Sequence, residues 1–582
     1  MRDTNWIGDP YTISDNDMVM PDSPIPFFML YKLPPDVDRE HLAGAMQRGL
    51  EMASEKLPSI AAIICLDAAK RPLPRLMPAP PLELAVRTFE PGEYKSYDEL
   101  AQRNFSPADF EFYLLPMEIH MPPDEYERRV CAVQLNFIPG GAILAVSLNH
   151  IAGDGSSESL AITLICDCAK ACMEGNPDSD PRPAYSFDRR PFLPSNEITA
   201  QSREQLIADN EKKIHIAILD VTGSQSGSPS SSTRAPSPQQ ESGDDLSARD
   251  GAVDGPSTEL KSGDKLSASE GVCMPSRWVE ILTSVNASCG GIATTITWAR
   301  VWLASVLRSW VGSVRRLVFG GRRVAGGDPT PQQESGDSSA ASEGAGDDPS
   351  QSFKGQVYRV TASDASRLKG MCRPLGDVEY LSTYDCIYGA FCRALTRART
   401  TLKPSLREHK DWLFYHAIDL RARYRDIIGP RYFGNAVALG ITEPLSADDV
   451  LGADGLSVAA SSIRYSIQHM GSLKSLTNIT GLDAKLSPDA RVVVQGWGFP
   501  ETSFGLTSWY TVNAANWDFG IGPPTILRAF DAPAYNMGVL FPDCQKQQKY
   551  DLHFCLKEEE HEMLMKDEEF RSWFQPYGLR RQ

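Results

Sequence analysis

None of the twelve cysteines stands in a C-x-x-C pair, so the chain advertises neither a zinc ribbon nor a dithiol redox centre. The G-x-S-x-G pattern is absent too, which removes the nucleophile elbow and with it the usual sign of a covalent acyl-enzyme. Positive charge is scarce: 58 Lys and Arg face 75 Asp and Glu, a formal net charge of −17, and this balance gives no general reason to expect a nucleic-acid partner. An anionic ligand would need a locally basic pocket against that background. The opening residues Met1-Arg2-Asp3-Thr4-Asn5-Trp6 are polar where a secretory signal would turn apolar, and the expectation is a cytoplasmic protein with free thiols. With 582 residues and 42% hydrophobic composition, the chain can bury at least two sizeable cores.

Histidine is also sparse, at nine residues, and one of them stands out. His150-Ile151-Ala152-Gly153-Asp154-Gly155 reads H-x-x-x-D-G at the end of an apolar run. Upstream, 130–138 and 142–149 predict strands around the hairpin signal Pro139-Gly140-Gly141. Downstream, Leu160, Leu164, Ile165 and Cys168 recur at helical spacing and predict a helix over 156–173. The glycines then form a tight strand-to-helix turn. A histidine where a strand runs out can act as general base towards an alcohol, and its ordinary pKa near 6.5 leaves it neutral at cytosolic pH. The plainer reading is a buried histidine at a strand end and an Asp154 that merely caps a turn. Cys166, Cys168 and Cys172 suggest a metal site, yet 166 and 168 point to different sides of a helix, which favours core packing.

Elsewhere, 25–33, 60–66, 356–361, 413–418, 435–440, 491–496 and 549–555 predict strands, and 39–54, 383–398 and 557–575 predict helices, a content that suits two α/β sandwiches of mixed sheet. Between them the composition breaks. Residues 221–271 and 326–352 are dominated by Ser, Gly, Asp, Pro and Gln and are expected to be disordered. Ser242-Gly243-Asp244-Asp245-Leu246-Ser247-Ala248 recurs with changes at Ser262–Ala268 and Ser335–Ala341, a repeat expansion too polar to bury a core. Within this stretch, residues 296–319 set Leu303, Val306, Leu307, Trp310, Val314 and Leu317 on one helical face, with arginines largely avoiding it. That is the pattern of an amphipathic interfacial helix, and the internal arginines argue against a membrane span; an insertion packing loosely on the surface is the plainer account. The expected division is 1–215, a linker 216–354, and 355–582.

Four further segments carry a resemblance. Thr507-Ser508-Trp509 precedes Trp517-Asp518-Phe519-Gly520-Ile521-Gly522-Pro523, a D-F-G-x-G run, and between the halves lie Asp419-Leu420-Arg421-Ala422-Arg423 and Tyr432-Phe433-Gly434-Asn435. Together with H-x-x-x-D-G this set resembles the BAHD family of acyl-CoA-dependent acyltransferases, with Ile521 where the family usually has Trp. Ile13-Ser14-Asp15-Asn16-Asp17 and the 432–437 region are similar to its fungal trichothecene 3-O-acetyltransferase branch. The likeness covers residues 1 to about 215 and 355 to 582. It implies two chloramphenicol-acetyltransferase-like α/β domains with a tunnel between them and His150 at its middle, an acyl-CoA cosubstrate (acetyl-CoA first), an acceptor alcohol such as a sesquiterpenoid, no bound cofactor, and a monomer. It also implies that Asp154 points away from the tunnel to an arginine, Arg421 before Arg423, and that Thr507 and Trp509 lie beside the acyl group. Asp518, Phe519, Gly520 and Gly522 would then be structural. Asn149 stands where carrier-dependent condensation domains usually have a second histidine, which favours free acyl-CoA over a carrier-bound donor. An amine acceptor, a carrier-bound donor and a non-catalytic binding protein stay open as alternatives.

Overall fold

The computed structural model describes residues 6–18, 20, 24–66, 74–115, 127–176, 185–193, 200–201, 205, 216–220, 353–469, 477, 490–494, 501–529 and 536–578. The low-complexity stretches 221–271 and 326–352 and the amphipathic segment 296–319 lie outside the described residues. Two main sheets organise the rest. In chain order their strands are β1 Pro24–Lys32, β2 Leu84–Thr88, β3 Cys131–Ile138, β4 Gly141–Asn149, β5 Phe353–Val360, β6 Leu413–Asp419, β7 Val437–Ile441, β8 Ser503–Ser508, β9 Ile526–Arg528, β10 Met537–Phe541, β11 Tyr550–Lys557 and β12 Gln575–Tyr577.

The first sheet runs β9-β1-β4-β3-β2 and the second β7-β6-β8-β10-β11-β5-β12. Both are mixed: β2 is parallel to β3, and β6, β8 and β10 are mutually parallel, while the other pairings are antiparallel. One strand breaks the division of the chain, because β9 pairs with β1, Ile526 opposite Leu30 and Arg528 opposite Phe28. The second half thus supplies an edge of the first half's sheet.

Side chains alternate across a strand, and β1 uses both faces. Phe27, Met29 and Tyr31 face the large N-terminal core, whereas Phe28 and Leu30 join a second cluster with Phe89, Tyr97, Phe105 and Ile526. Burial on both faces explains why β1, β3 and β4 read as nearly unbroken apolar runs. The helices α1 (Arg39–Lys56) and α2 (Gly155–Met173) cover the first of those faces. They approach so closely at Gly49 that a Cβ there would lie 2.5 Å from the backbone nitrogen of Ala169. In the second half α3 (Thr383–Leu402) and α4 (Gly455–His469) meet in the same way, Gly389 against Ala460 at 2.9 Å.

Three expectations change. Residues 60–66 are not one strand: Pro58 opens a short helix over Pro58–Ala61, its ring already at a helical φ, and the strand covers Ile63–Leu66 only. The strand expected at 435–440 starts at Val437 because the backbone N–H groups of Asn435 and Ala436 are taken by Asp17 and Asp154. The single helix expected at 557–575 is two, Glu558–Lys566 and Glu568–Arg571, since Asp567 accepts from the Phe570 N–H and restarts it; Gln575–Tyr577 is strand β12. Of the strand expected at 491–496, the described part lies in Ala490–Val494, paired with Ile216–Asp220, and 495–496 lie outside the described residues. Among the described residues no helix is long and apolar enough to cross a membrane.

Candidate active site at the end of strand β4

His150 follows directly on β4, and Asp154 is the N-cap of α2, its carboxylate accepting the Ser157 N–H at 2.9 Å. The cap reading of Asp154 and the ion-pair reading are both true of this structure. Arg421 grips both carboxylate oxygens, NH1 at 2.9 Å and NH2 at 3.0 Å, in the two-pronged geometry that makes such pairs strong. Burial alone would raise the Asp154 carboxyl; the Arg421 guanidinium outweighs it and holds the carboxyl below its ordinary range. Arg423 instead reaches the Ile467 carbonyl. Asp419 joins the same knot, accepting from Ser156 Oγ at 2.6 Å and from Arg421. Ser157 Oγ donates to the Gly434 carbonyl at 2.8 Å, so both serines of the first turn of α2 reach the other half of the chain.

With Asp154 engaged elsewhere, the ring of His150 has a different neighbour. Asn435 Oδ1 lies 3.2 Å from His150 Nδ1, while Asn435 Nδ2 donates to the His150 carbonyl at 2.8 Å and to Asp17 Oδ1 at 2.9 Å. Nδ2 has acceptors on its side, so Oδ1 is the atom left to face the ring, and it accepts from Nδ1–H. Nε2 then carries the lone pair. Burial pushes the imidazole below its ordinary pKa, opposed by its own carbonyl, Asp154, Asn435 and Asp17. The ring is therefore neutral at pH 7, the form a general base needs.

Trp509 is brought to the motif and is only 7% exposed. Its ring packs edge-on to Phe27, centroids 3.6 Å apart, and against Gly155, where a Cβ would come within 2.9 Å of the indole. That contact is a reason for glycine after Asp154. Thr507 is half-buried near the end of β8, two residues earlier. The D-F-G-x-G residues lie elsewhere. Asp518 Oδ1 accepts the N–H groups of Gly520, Ile521 and Gly522 at 2.8–3.0 Å, and Oδ2 accepts Lys170 Nζ at 2.8 Å. Gly520 and Gly522 have φ of +104° and +92°, which side chains with a Cβ rarely adopt. Phe519 is fully buried beside Tyr31. Lys170 is some fifteen residues along α2 from the motif turn, roughly 22 Å at 1.5 Å per residue, so this loop lies well away from His150, tied to α2 by Lys170 and to β1 by Phe519 beside Tyr31. Cys166 and Cys168 are buried in the N-terminal core, and among the described residues no group of three or more His, Cys, Asp or Glu could hold a metal.

Sequence reasoning did not reach Asn435 as the ring's partner, nor Asp17, Asn16 and Arg189 behind it. Asn435 and Asp17 had a signal, since both stand in segments that carry the resemblance. Arg189 had none.

Comparison with known proteins bears on the family and the fold. Residues 339–571 match the Transferase family, and residues 25–172 match the trichothecene 3-O-acetyltransferase-like N-terminal domain. Hydroxycinnamoyltransferase 1 of Oryza sativa subsp. japonica is 24% identical over 211 residues, which are 36% of this chain and 46% of that protein, so the likeness spans about half the length of the curated relative. Crystal structures of TRI101 from F. sporotrichioides with coenzyme A and T-2, and from F. graminearum with coenzyme A and deoxynivalenol, are 14% and 15% identical and superpose with TM-scores of 0.60 and 0.59. Each covers 97% of this chain and 99% of its own, a likeness of fold. The two family matches lie on either side of residues 173–338 and together take in well over half the residues, and the chain accordingly belongs to the Transferase family, the BAHD type its motifs resemble, with a trichothecene 3-O-acetyltransferase-like N-terminal domain.

Proposed function

We propose that this protein transfers an acyl group, acetyl in the first instance, from acyl-CoA to a hydroxyl of a small secondary metabolite such as a sesquiterpenoid. The observation that carries the reading is the neutral His150, with Nδ1 engaged by Asn435 and Nε2 left to accept a proton. In the proposed reaction Nε2 takes the acceptor's hydroxyl proton as the oxygen attacks the thioester carbonyl. The tetrahedral intermediate collapses with loss of the CoA thiolate, which receives that proton from the imidazolium. No acyl-enzyme forms, and the lack of a G-x-S-x-G nucleophile supports this. General-base help contributes roughly 10²–10⁴ in rate, so holding both substrates in register must supply much of the remainder. A tunnel between domains 1–215 and 355–582 suits such a two-substrate reaction, with Thr507 and Trp509 beside the acyl group and Asp154 with Arg421 shaping the loop. Crystallised relatives of this fold hold coenzyme A with T-2 or deoxynivalenol, which supports a free CoA donor and a sesquiterpenoid acceptor. The protein would act as a monomer.

The test is release of CoA thiol from acetyl-CoA across a panel of hydroxylated sesquiterpenoids, wild type against His150→Ala. A loss of about 10² or more in turnover is expected; full turnover in the variant would sink the assignment of the base. Activity confined to amines, or to acyl groups on a carrier protein, would redirect the reading to those acceptors or donors.

A further inference from the structure

We propose that Asp17, backed by Arg189, is a positioning residue for His150: by holding the Asn435 amide in one orientation it keeps the ring proton on Nδ1 and the lone pair on Nε2. The inference rests on His150 being the general base. A side-chain amide has nearly the same shape after a half-turn, but its two ends have opposite hydrogen-bonding roles. Turned over, Asn435 would present its NH2 to His150 Nδ1, the ring proton would move to Nε2, and the base would be lost.

What prevents the turn is a buried carboxylate. Asp17 Oδ1 accepts from both the backbone N–H and the Nδ2 of Asn435, each at 2.9 Å. A flipped amide would set its oxygen against this anion and against the His150 carbonyl. Asn16, beside it, donates from Nδ2 to the Asn435 carbonyl at 2.6 Å. Asp17, Asn16 and Asn435 are all 0% exposed, so water does not substitute for these contacts.

A carboxylate in such a place needs its own support. Asp17 Oδ2 accepts from the N–H and hydroxyl of Ser14 at 2.8 and 2.7 Å, and Arg189 Nε lies 3.4 Å away. Arg189 is fixed in turn by the carbonyls of Thr12 and Phe433 and the Tyr432 hydroxyl. Among the described residues, the charged groups that act most on His150 are Asp154 and Asp17, each paired with its own arginine, Arg421 and Arg189.

Asp17→Asn should undo the arrangement. An amide cannot accept on both sides; its oxygen will turn to Ser14 and the Arg189 cation, where the bonds are charge-assisted, and its NH2 will face Asn435 and force that amide over. With imidazole-¹⁵N-labelled full-length protein, the His150 signals are assigned by their loss in His150→Ala. The expected wild-type ring is protonated at Nδ1 and bare at Nε2. In Asp17→Asn the proton moves in large part to Nε2, kcat falls by about 10²-fold, KM for acetyl-CoA stays within about twofold, and the acid limb of the pH profile moves to lower pH because a negative charge near the ring is gone. A wild-type ring protonated at Nε2, or an Asp17→Asn protein whose tautomer and acid limb are unchanged, would overturn the proposal. Should Asp17→Asn not fold, Ser14→Ala, which removes one hydrogen bond to Oδ2, takes its place: a partial shift to Nε2–H is expected, and an unshifted spectrum overturns it. The tautomer is read without turnover, so full activity in His150→Ala would remove the base assignment while the spectrum still decides the role of Asp17.

Discussion

Asp154 and His150 are four residues apart yet face different partners, and an ion pair determines which way the carboxylate turns. Arg421 is 5% exposed and Asp154 1%, so removing the cation strands a buried charge. Arg421→Ala should therefore cost about 3–5 kcal/mol of unfolding free energy, measured by urea denaturation. Arg421→Lys keeps the charge but loses the fork that spans both oxygens, and should fall between. Acid should act on the same region. Burial holds the imidazoles of His150, His416 and His561 below their ordinary range, His416 down to about 3 and His561 to about 4. The unfolded chain binds protons at these positions near pH 6.5 and the folded one refuses them. Their contribution is complete above pH ~6.5 and is lost as pH falls towards the folded values, at about 1.4 kcal/mol per pH unit for each residue. Stability followed by denaturant titration between about pH 7 and 4 should decline steadily, and His416→Gln should make the decline shallower.

Two glycines of α1 meet different surroundings, and the difference sets the sign of a mutation. A Cβ at Gly44 would find only the tip of Arg48 at 3.5 Å, whereas at Gly49 it would strike the α2 backbone. Gly44→Ala should stabilise by about 0.4–1 kcal/mol through the unfolded chain, and Gly49→Ala should destabilise by about 1–3 kcal/mol through overpacking; thermal midpoints of the pair check both. The same scale explains what could be read in advance. β1, β3, β4 and α2 announced themselves because both sheet faces are buried and the helix carries a full apolar stripe. Helix α4 did not, because its serines are spent on its neighbours: Ser457 and Ser461 accept backbone N–H groups of Arg373 and Leu375, and Ser466 bonds His416. Strands β8 and β10 each contain a glycine, and at Gly538 a Cβ would come within 2.7 Å of Phe554, so close packing removed the side chain that would have marked the strand. His150, Asp154 and Arg421 were legible because a motif and a resemblance name them. Arg189 was not, since what gives it meaning is Asp17, far away in sequence and 3.4 Å away in space.

Across the molecule, the two halves share material as well as a boundary. Trp509, Trp517, Phe519 and Leu527 lie in the N-terminal core, and Tyr31 donates its hydroxyl to the Trp517 carbonyl at 2.9 Å. Residues 1–215 expressed alone would lack these side chains and the β9 edge. They should fail to give a cooperative unfolding transition in calorimetry, while the full chain gives one for the two halves together. Synthesis on the ribosome adds a matter of timing. The edge of β1 is complete by residue 32, but the strand that covers it ends at residue 528. At 5–20 residues per second, the open edge waits roughly 25–100 s for its partner, and residues 221–352 account for about a quarter of that interval. An exposed apolar strand edge is a template for pairing with other chains, so the length of the middle stretch helps set how long each nascent molecule presents that edge before its first sheet is closed.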